Sequence, residues 1–441
     1  MWVEELQIRN IKCFDDVTIK LGKPRQPYRW VTLLGENGGG KSIALQALGL
    51  LLAGPEGAQK LLPRPVAWLR SEDEYGTLRG RIHQGDNDPG QHGTGKVTRA
   101  FGYTYFVTGS KPVSVRNRQY TEPAIVESVE KRLSWLRQNA FTSTGGGWFA
   151  VGYGAFRRLT RSSQVIVPSL EQPARFTNFS TQFDEDQPLS AFERWMVYLD
   201  YRVAKDQDHT ARRQYDLGVA AINKVLPDGV RFDQVTPHGR ICFITNGMSV
   251  ATIALSDGYR SVLALAGDLV WRLIQAFPNS DDPLHEEGVV LIDELDIHLH
   301  PVWQRQIAQW LQEQFPGLQF IVATHSPLIA AGAGDTAQTV RFRLRDGRAE
   351  VEAVPNVSAL SVDRILQSEA FGAVSPYSPA TQAKIDRYDH LVVKGARRSR
   401  DEECEWTQLS LFMDEARPFG GPPEPGSLEA KIDQVLRSRL Q

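Results

Sequence analysis

A glycine-rich run that ends in a lysine and a serine has the residue types needed to bind a chain of phosphates. The run is Gly35-Glu36-Asn37-Gly38-Gly39-Gly40-Lys41-Ser42, near the start of a chain of 441 residues. Glycines let successive backbone N–H groups converge on phosphate oxygens, and the N-terminus of a following helix adds partial positive charge. In such a loop the lysine neutralises the β- and γ-phosphates and the serine hydroxyl ligates Mg²⁺. The residues predicted to bind ATP and Mg²⁺ here are Gly35, Asn37, Gly38, Gly39, Gly40, Lys41 and Ser42.

Two carboxylates and a histidine far downstream supply the groups that hydrolysis of a nucleotide requires. Asp293 and Glu294 follow the apolar run 288–292, and His325 follows the apolar run 320–323. We predict that Asp293 ligates Mg²⁺, that Glu294 polarises the attacking water, and that His325 contacts the γ-phosphate and holds that water. The structural alternatives are a carboxylate that only caps a helix and a histidine in an ordinary polar turn.

Buried strands must position these groups. Residues 30–34 read as a short strand and residues 42–48 as a helix, so the glycines lie at a strand-to-helix turn. The apolar run 288–292 reads as a central parallel strand that delivers its carboxylates at its C-terminal end. The pattern predicts an α/β fold with a nucleotide site at the ends of these strands.

The run Leu255-Ser256-Asp257-Gly258-Tyr259-Arg260-Ser261 opens another apolar helix. With this run, the chain resembles the ABC-type ATPases of the SMC and RecF kind, in which two heads enclose two ATP molecules. In that family the signature sequence of one subunit reaches the γ-phosphate bound by the other. The resemblance implies that Ser256 and Gly258 bind the nucleotide of a second copy; the alternative is a serine that only caps the helix.

The resemblance also implies the organisation of the chain. We expect an ABC-type P-loop ATPase head at residues 1–355, with a mixed sheet, an antiparallel lobe, a short helical insertion and no long coiled coil. Its parts are Walker A at 35–42, the signature at 255–261, Walker B at 289–294, the switch histidine His325 and an inserted lobe at about 110–240. The turn that follows residues 148–153 takes the place of the family's Q-loop, but it lacks a glutamine, and Gln164 is too distant. Residues 356–441 are expected to form a helical partner-docking region with a Pro/Gly linker at 418–426.

Composition limits the other functional classes. The chain has 50 basic and 52 acidic residues and a net charge of −2, so its overall charge does not indicate a polycationic nucleic-acid binder. Cys13, Cys242 and Cys404 lack metal-site spacing, which favours a reducing compartment without structural disulfides. The sequence has neither a membrane-spanning apolar stretch nor a signal sequence. We therefore expect a cytoplasmic protein.

Three further features are the turn Gly152-Tyr153-Gly154-Ala155-Phe156-Arg157, the signature 255–260, and a tail with Ile365-Leu366 and Phe371-Gly372. With these features the chain resembles the ATP-binding subunits of bacterial antiphage systems, namely the Septu and retron-associated AAA-type ATPases and the OLD-like group. This resemblance implies a slow ATPase that forms a head-to-head dimer, or a higher even-numbered oligomer, and controls a separate effector such as a nuclease. Direct contact with DNA is left open. The alternatives are a RecF-like ATPase of DNA repair or replication, and an ATP-gated scaffold or sensor that does not hydrolyse ATP. A nuclease domain within the chain is not expected, because Lys394 stands where a TOPRIM fold needs a metal-binding glutamate.

Overall fold

The computed structural model describes all residues except 25, 91–99, 143–145, 156–173, 185–190, 207–208, 227–228, 256, 298, 373–374, 376 and 417–441. The strands are β1 (Trp2–Ile11), β2 (Phe14–Lys20), β3 (Gly22–Lys23), β4 (Gln26–Pro27), β5 (Trp30–Gly35), β6 (Gly76–His83), β7 (Ala100–Thr108), β8 (Val113–Val115), β9 (Arg118–Tyr120), β10 (Ala124–Glu127), β11 (Phe149–Tyr153), β12 (Val230–Val235), β13 (Ile241–Thr245), β14 (Met248–Ala251), β15 (Gly288–Ile292), β16 (Leu318–Ala323), β17 (Gln338–Arg345) and β18 (Arg348–Val354). The helices are α1 (Lys41–Ala53), α2 (Pro55–Leu61), α3 (Lys131–Asn139), α4 (Ala191–Asp206), α5 (His209–Val225), α6 (Asp257–Ala276), α7 (Pro301–Gln314), α8 (Pro327–Gly332), α9 (Val362–Gln367), α10 (Pro379–Lys394) and α11 (Arg400–Ala416).

The largest sheet has the strand order β11-β15-β16-β5-β17-β18. Its first five strands are parallel, and β18 returns antiparallel to β17 through a turn at Asp346 and Gly347. Strands β15 and β16 are buried along their whole length, as a parallel sheet covered on both faces requires. The α/β fold expected from the apolar runs 30–34, 288–292 and 320–323 is confirmed.

A second sheet is antiparallel, with the order β10-β7-β6-β1-β2. Its buried face carries Leu6, Ile8 and Tyr103, which belong to the same hydrophobic core as Leu48 and Leu51 of α1. The helix that follows the glycine loop therefore has apolar partners in this sheet as well as in the parallel one. The antiparallel lobe expected from the sequence is confirmed by the pairing of β6 with β7, although residues 91–99 lie outside the described part.

Helices α4, α5 and α6 pack together around a second hydrophobic core. Gly267 permits this packing, because a Cβ at that position would lie 3.1 Å from the ring of Phe192. The small sheet β12-β13-β14 adjoins these helices. Among the described helices α6 is the longest, with 20 residues, so no coiled-coil arm is present in this part of the chain. None of the described helices combines the length and apolar character needed to cross a membrane.

The first compact unit extends from Met1 to Gly372, beyond the boundary at residue 355 expected from the sequence. The extension exists because Val357, Ile365 and Ala370 form a small buried cluster with Leu34 of β5. The second unit, Ala373–Gln441, contains the helical hairpin of α10 and α11. Within this hairpin Arg387 forms two hydrogen bonds with Glu405, at 2.7 and 3.1 Å. The linker expected at 418–426 lies outside the described residues.

Candidate functional site

The glycine loop joins β5 to α1, and two of its glycines have no room for a side chain. Gly35 has φ 142°, and a Cβ there would lie 2.1 Å from the carbonyl oxygen of Phe342 in β17. Gly40 is the N-cap of α1 with φ 101°, and its Cβ would lie 2.6 Å from Phe14 and 2.8 Å from the Cys13 sulfur. The loop backbone thus passes close to its neighbours in a conformation that favours glycine, with the N-terminus of α1 directly behind it.

Lys41 lies inside this loop. Its Nζ donates hydrogen bonds to the carbonyl oxygens of Gly35 at 2.8 Å and Glu36 at 3.0 Å, and only 6% of the residue is exposed. Burial lowers the pKa of Lys41, whereas the negative charges of Asp293, Glu294 and other acidic residues act in the opposite direction. The ammonium group is held where a phosphate chain crossing the loop would meet it.

Three neighbouring parallel strands bring the predicted groups to one edge of the sheet. Strand β16 lies between β15 and β5, and Ile292 pairs with Val322 while Ala323 pairs with Leu33. Asp293, His325 and the glycine loop follow directly at the C-terminal ends of these strands. Electrostatic interactions join Lys41 to Asp293, Glu294 and His325 across this edge. The structure therefore brings together groups that are almost 300 residues apart in sequence.

The donor set at this edge fits a magnesium nucleotide. Backbone N–H groups of the loop, the buried ammonium of Lys41 and the exposed hydroxyl of Ser42 are the donors that a phosphate chain would need here. Hydroxyl and carboxylate oxygens are ligands that Mg²⁺ accepts, and Ser42 and Asp293 offer one of each. Asn37 and Gly38 lie at the exposed turn of the loop, and Gly39 is buried beneath it.

Glu294 has φ 46°, in the left-handed region that a glutamate rarely adopts. The preceding residue is fixed by a hydrogen bond that its backbone N–H donates to the carbonyl oxygen of Tyr153 at 2.9 Å. The carbonyl oxygen of Glu294 accepts a hydrogen bond from the backbone N–H of Ile297 at 3.1 Å, which closes the turn after β15. Nine described non-glycine residues have a positive φ, and Glu294 is the one that follows the C-terminal end of a motif-bearing parallel strand, which supports a role for its carboxylate.

Asp296 is a further site residue that sequence reasoning missed. Its Oδ1 accepts hydrogen bonds from the hydroxyl of Thr324 at 2.5 Å and from the backbone N–H of His325 at 3.2 Å. Gln304 of α7 donates to the carbonyl oxygen of Asp296 at 3.3 Å and accepts from the Ser326 hydroxyl at 2.7 Å. These bonds tie the turn after β15 to the turn after β16. The sequence signal was a third acidic residue three positions beyond Asp293.

The pKa of His325 is lowered, first by partial burial of the imidazole and then by the positive charge of Lys41. The carboxylates of Asp296 and Asp293 oppose this shift without cancelling it. A neutral imidazole is therefore favoured near pH 7 in the protein without nucleotide. Such a ring offers one N–H donor and one nitrogen acceptor, and both are needed to link a phosphate oxygen to a water molecule.

Of the predicted signature, the structure describes Leu255 and residues 257–261, which begin helix α6. Gly258 is half-buried in the first turn of α6, and the ring of Tyr259 contacts the edge of Trp303 at 6.2 Å between centroids. Helix α6 packs on α4, α5 and β11. Ser256 lies outside the described residues, as do Gln164 and the turn that starts at residue 156.

Asn10 near the end of β1 has a structural role in the head. Its side chain donates hydrogen bonds to the carbonyl oxygens of Ser71 at 3.0 Å and Glu74 at 2.9 Å, and it accepts one from the backbone N–H of Ser71. Arg9 forms an exposed ion pair with Glu74, and Lys12 lies over the ring of Trp68.

The sequence is similar to one protein family model and to several known proteins. Residues 205–331 match the family described as "AAA domain, putative AbiEii toxin, Type IV TA system", a range that includes Gly258, Asp293, Glu294 and His325. The Septu protein PtuA of Bacillus mycoides (strain KBAB4) is 25% identical over 410 residues, which cover 91% of this chain and 49% of that protein. The Retron Ec83 probable ATPase of Escherichia coli is 48% identical over 188 residues, which cover 43% of this chain and 33% of that protein. The chain thus spans about half of the length of the first relative and a third of the second.

Among solved structures, the head domain of an SMC protein bound to the C-winged helix domain of ScpA has a similar fold. The TM-score is 0.50 at 17% identity, over 80% of this chain and 98% of that chain. The expected fold class is confirmed at this level, with the three motif-bearing strands side by side in one parallel sheet. The chain therefore has the fold of SMC heads and is similar in sequence to a Septu PtuA protein and to a retron probable ATPase.

Proposed function

We propose that this chain binds and hydrolyses ATP, and that ATP closes two heads into a dimer which controls a separate effector. The observation that carries the proposal is the alignment of Lys41, Asp293 and His325 at the ends of three adjacent parallel strands. The loop would hold the β- and γ-phosphates through its backbone N–H groups and Lys41. Ser42 and Asp293 would hold Mg²⁺, which supplies positive charge that stabilises the phosphate oxygens.

Glu294 and His325 are proposed to carry the hydrolytic step. Glu294 accepts a proton from a water molecule whose oxygen attacks the γ-phosphorus. The bond from the γ-phosphorus to the oxygen that bridges it to the β-phosphate breaks, which leaves ADP and inorganic phosphate. The neutral imidazole of His325 orients the water and the γ-phosphate, and Asp296 fixes the turn that carries the histidine. A strained backbone at Glu294 supports this assignment.

In the proposed dimer each head supplies its signature to the other. The support is the resemblance of residues 255–261 to the signature of ABC-type ATPases, so Gly258 and Ser256 would act on the nucleotide of a second copy. ATP would then bind more tightly to the closed pair than to the open heads, and this difference drives closure. Hydrolysis removes the γ-phosphate and lets the heads separate. A head-to-head dimer is the smallest assembly that satisfies this arrangement.

The proposed biological role is antiphage defence, with a nuclease as the effector. Its support is the likeness to a Septu protein over 91% of this chain and to a retron ATPase over 43%. The head itself offers a switch that responds to ATP, and the effector would be a separate protein. The cytoplasm is the proposed location because ATP and phage genomes meet there.

The test combines nucleotide binding, turnover and mass measurement on the full chain. Wild type, Glu294→Gln and the control Glu350→Gln, an exposed glutamate on β18, are compared with and without ATP by light scattering and phosphate release. We expect Glu294→Gln to accumulate as an ATP-bound dimer with little turnover, and the control to match wild type. A Glu294→Gln protein that hydrolyses ATP at the wild-type rate would remove Glu294 from its role.

Other outcomes favour other functions. Tight ATP binding without turnover by the wild-type chain indicates a scaffold or sensor. Turnover that DNA stimulates, without any toxic partner, indicates repair or replication. Purification with the products of neighbouring genes, followed by a nuclease assay with and without ATP, tests the proposed effector directly.

A further inference from the structure

A buried polar cluster connects strand β11 to helix α6. The hydroxyl of Tyr153 donates a hydrogen bond to Oδ2 of Asp268 at 3.0 Å, and Nε of Arg272 donates to the same oxygen at 2.6 Å. The exposed fraction is 1% for Tyr153, 1% for Asp268 and 9% for Arg272. Two charged side chains on successive turns of one helix are thus enclosed against a tyrosine of the parallel sheet.

The cluster continues to a second point on the same strand. Arg272 donates from its terminal nitrogen to the side-chain oxygen of Asn178 at 2.6 Å, and Asn178 donates to the carbonyl oxygen of Ala150 at 3.0 Å. Helix α6 is therefore fixed near both ends of β11. Apolar side chains of similar volume would often stabilise such a contact at least as well, because burying charges has a large desolvation cost. Directional hydrogen bonds, unlike apolar contacts, hold the helix in one defined orientation.

The same tyrosine touches the nucleotide site through its backbone. The carbonyl oxygen of Tyr153 accepts the hydrogen bond from the backbone N–H of Asp293 at 2.9 Å, and Tyr153 pairs in register with Ile292. Along α6, Asp268 lies ten residues after Gly258, about 15 Å at 1.5 Å per residue. The main chain of Tyr153 thus contacts Asp293, the proposed magnesium ligand. Its side chain contacts α6, the helix that begins with the signature.

We propose that Tyr153, Asp268 and Arg272 form a positioning cluster that fixes the signature helix relative to the strand carrying Asp293. This inference rests on the proposed closure of two heads. Within each head the cluster sets the direction in which Gly258 is presented to a second copy. Its loss leaves the phosphate loop intact but presents the signature in several orientations, which reduces closure and turnover.

Tyr153→Phe removes only the hydroxyl and is the primary test. Tyr103→Phe is the matched control, because Tyr103 is equally buried and donates to the carbonyl oxygen of Leu51 at 2.8 Å, in a hydrophobic core different from that of α6. Each substitution is made in two backgrounds. Turnover is measured in the wild-type background, and ATP-induced dimerisation is measured in the Glu294→Gln background. We expect Tyr153→Phe to reduce turnover and the dimer association constant by roughly tenfold, the value of one hydrogen bond to a charged acceptor. The Kd for ATP of a single head, measured at low protein concentration, should stay within about twofold, and Tyr103→Phe should match its parent in every assay.

A second variant separates positioning from stability. Asp268→Leu combined with Arg272→Met in the Tyr153→Phe background replaces the ion pair with apolar side chains, so the helix can pack without a buried charge and without a buried hydroxyl that lacks its acceptor. The thermal unfolding midpoint is expected to equal or exceed that of wild type, while turnover and dimerisation fall as in Tyr153→Phe. Recovery of wild-type turnover in this stable triple variant would overturn the positioning role.

The outcomes distinguish this inference from the function on which it rests. If the Glu294→Gln parent does not dimerise with ATP, the proposed function fails. If that parent dimerises and Tyr153→Phe dimerises equally well, with equal turnover, only the positioning cluster is refuted. If Tyr153→Phe weakens ATP binding to a single head as much as it weakens closure, the cluster supports the nucleotide site and not the signature helix, and the inference is also refuted.

Discussion

Asp296 and His325 are joined by a hydrogen bond from the backbone N–H of the histidine to Oδ1 of the aspartate, at 3.2 Å. The same carboxylate oxygen accepts from the hydroxyl of Thr324 at 2.5 Å. The turns after two neighbouring strands therefore share one acceptor. The Asp296 carboxylate therefore fixes the position of the side chains that these two turns carry.

Replacement of this acceptor should impair turnover more than binding. In Asp296→Ala the turn carrying His325 loses two hydrogen bonds, so we expect turnover to fall by roughly tenfold or more. The Kd for ATP should change much less, because the phosphate loop is untouched. Asp335→Ala is the control, since Asp335 accepts a hydrogen bond from Ser358 at 2.5 Å in an exposed part of the same unit. Equal turnover in Asp296→Ala and the control would show that the shared acceptor is dispensable.

Removal of the buried ammonium group should abolish nucleotide binding. Lys41→Ala deletes the charge that the loop holds at Gly35 and Glu36, and a charged hydrogen bond to phosphate contributes about 1.5–3 kcal/mol. Calorimetric titration with ATP should show a Kd weaker by roughly 100-fold or more. Lys60→Ala, which removes a lysine packed over Phe176, serves as the control. ATP affinity within a few-fold of wild type would exclude Lys41 as the phosphate ligand.

A methyl group at Gly40 should damage the loop beyond the effect of backbone strain. Gly40→Ala places a Cβ against Phe14 and Cys13 at a φ of 101°. Gly334→Ala is matched for strain, with φ 86°, but its Cβ would have no neighbour within 4 Å. Both changes should cost about 1–2 kcal/mol in the free energy of unfolding through the left-handed backbone. Only Gly40→Ala should also weaken ATP binding, and equal behaviour of the two variants in denaturation and titration would contradict this view of the loop.

The pKa of His325 should respond to Lys41. The folded-state pKa lies below the ordinary value of about 6.5, because burial and the charge of Lys41 disfavour the imidazolium form. The folded chain consequently binds fewer protons than the unfolded chain in this window. The His325 contribution to the free energy of unfolding is present above about pH 6.5 and is lost as the pH falls through the folded pKa.

Titration by nuclear magnetic resonance gives the test of this shift. Lys41→Ala should raise the pKa of His325, and Lys60→Ala should leave it unchanged. Comparison with His325→Gln identifies the signal. A pKa of His325 that is the same in wild type and Lys41→Ala would show that the two side chains do not interact.

The nucleotide-binding edge was largely predictable because each of its parts is encoded locally. The glycine loop has its own strand before it and its own helix after it, and Asp293 directly follows a continuous apolar run. Parallel pairing of such runs then brings their C-terminal ends together. The sheet β12-β13-β14 was missed although Asn246 and Gly247 form a strong hairpin signal, with φ 51° and 77°. Its strands are only four to six residues long, so their alternation is weak.

Contacts between distant side chains could not be predicted from sequence. Asp268 and Arg272 have the spacing of an exposed ion pair on a helix surface, yet both are buried. Their partner Tyr153 lies 115 residues before Asp268. The bond from His325 to Asp296 spans 29 residues and depends on the adjacency of β15 and β16. Local sequence patterns do not indicate such partners, because these contacts form only when the sheet is assembled.

The left-handed backbone at Glu294 lowers the stability of the fold at a residue that is proposed to carry the hydrolytic step. A glutamate with φ 46° costs about 1–2 kcal/mol relative to an ordinary conformation, whereas asparagine tolerates that region well. An asparagine here should give a chain that withstands heat better but whose carboxylate is gone. Under the proposed function, relief of this strain would lower turnover while it raises stability, a common trade-off where activity needs a strained residue.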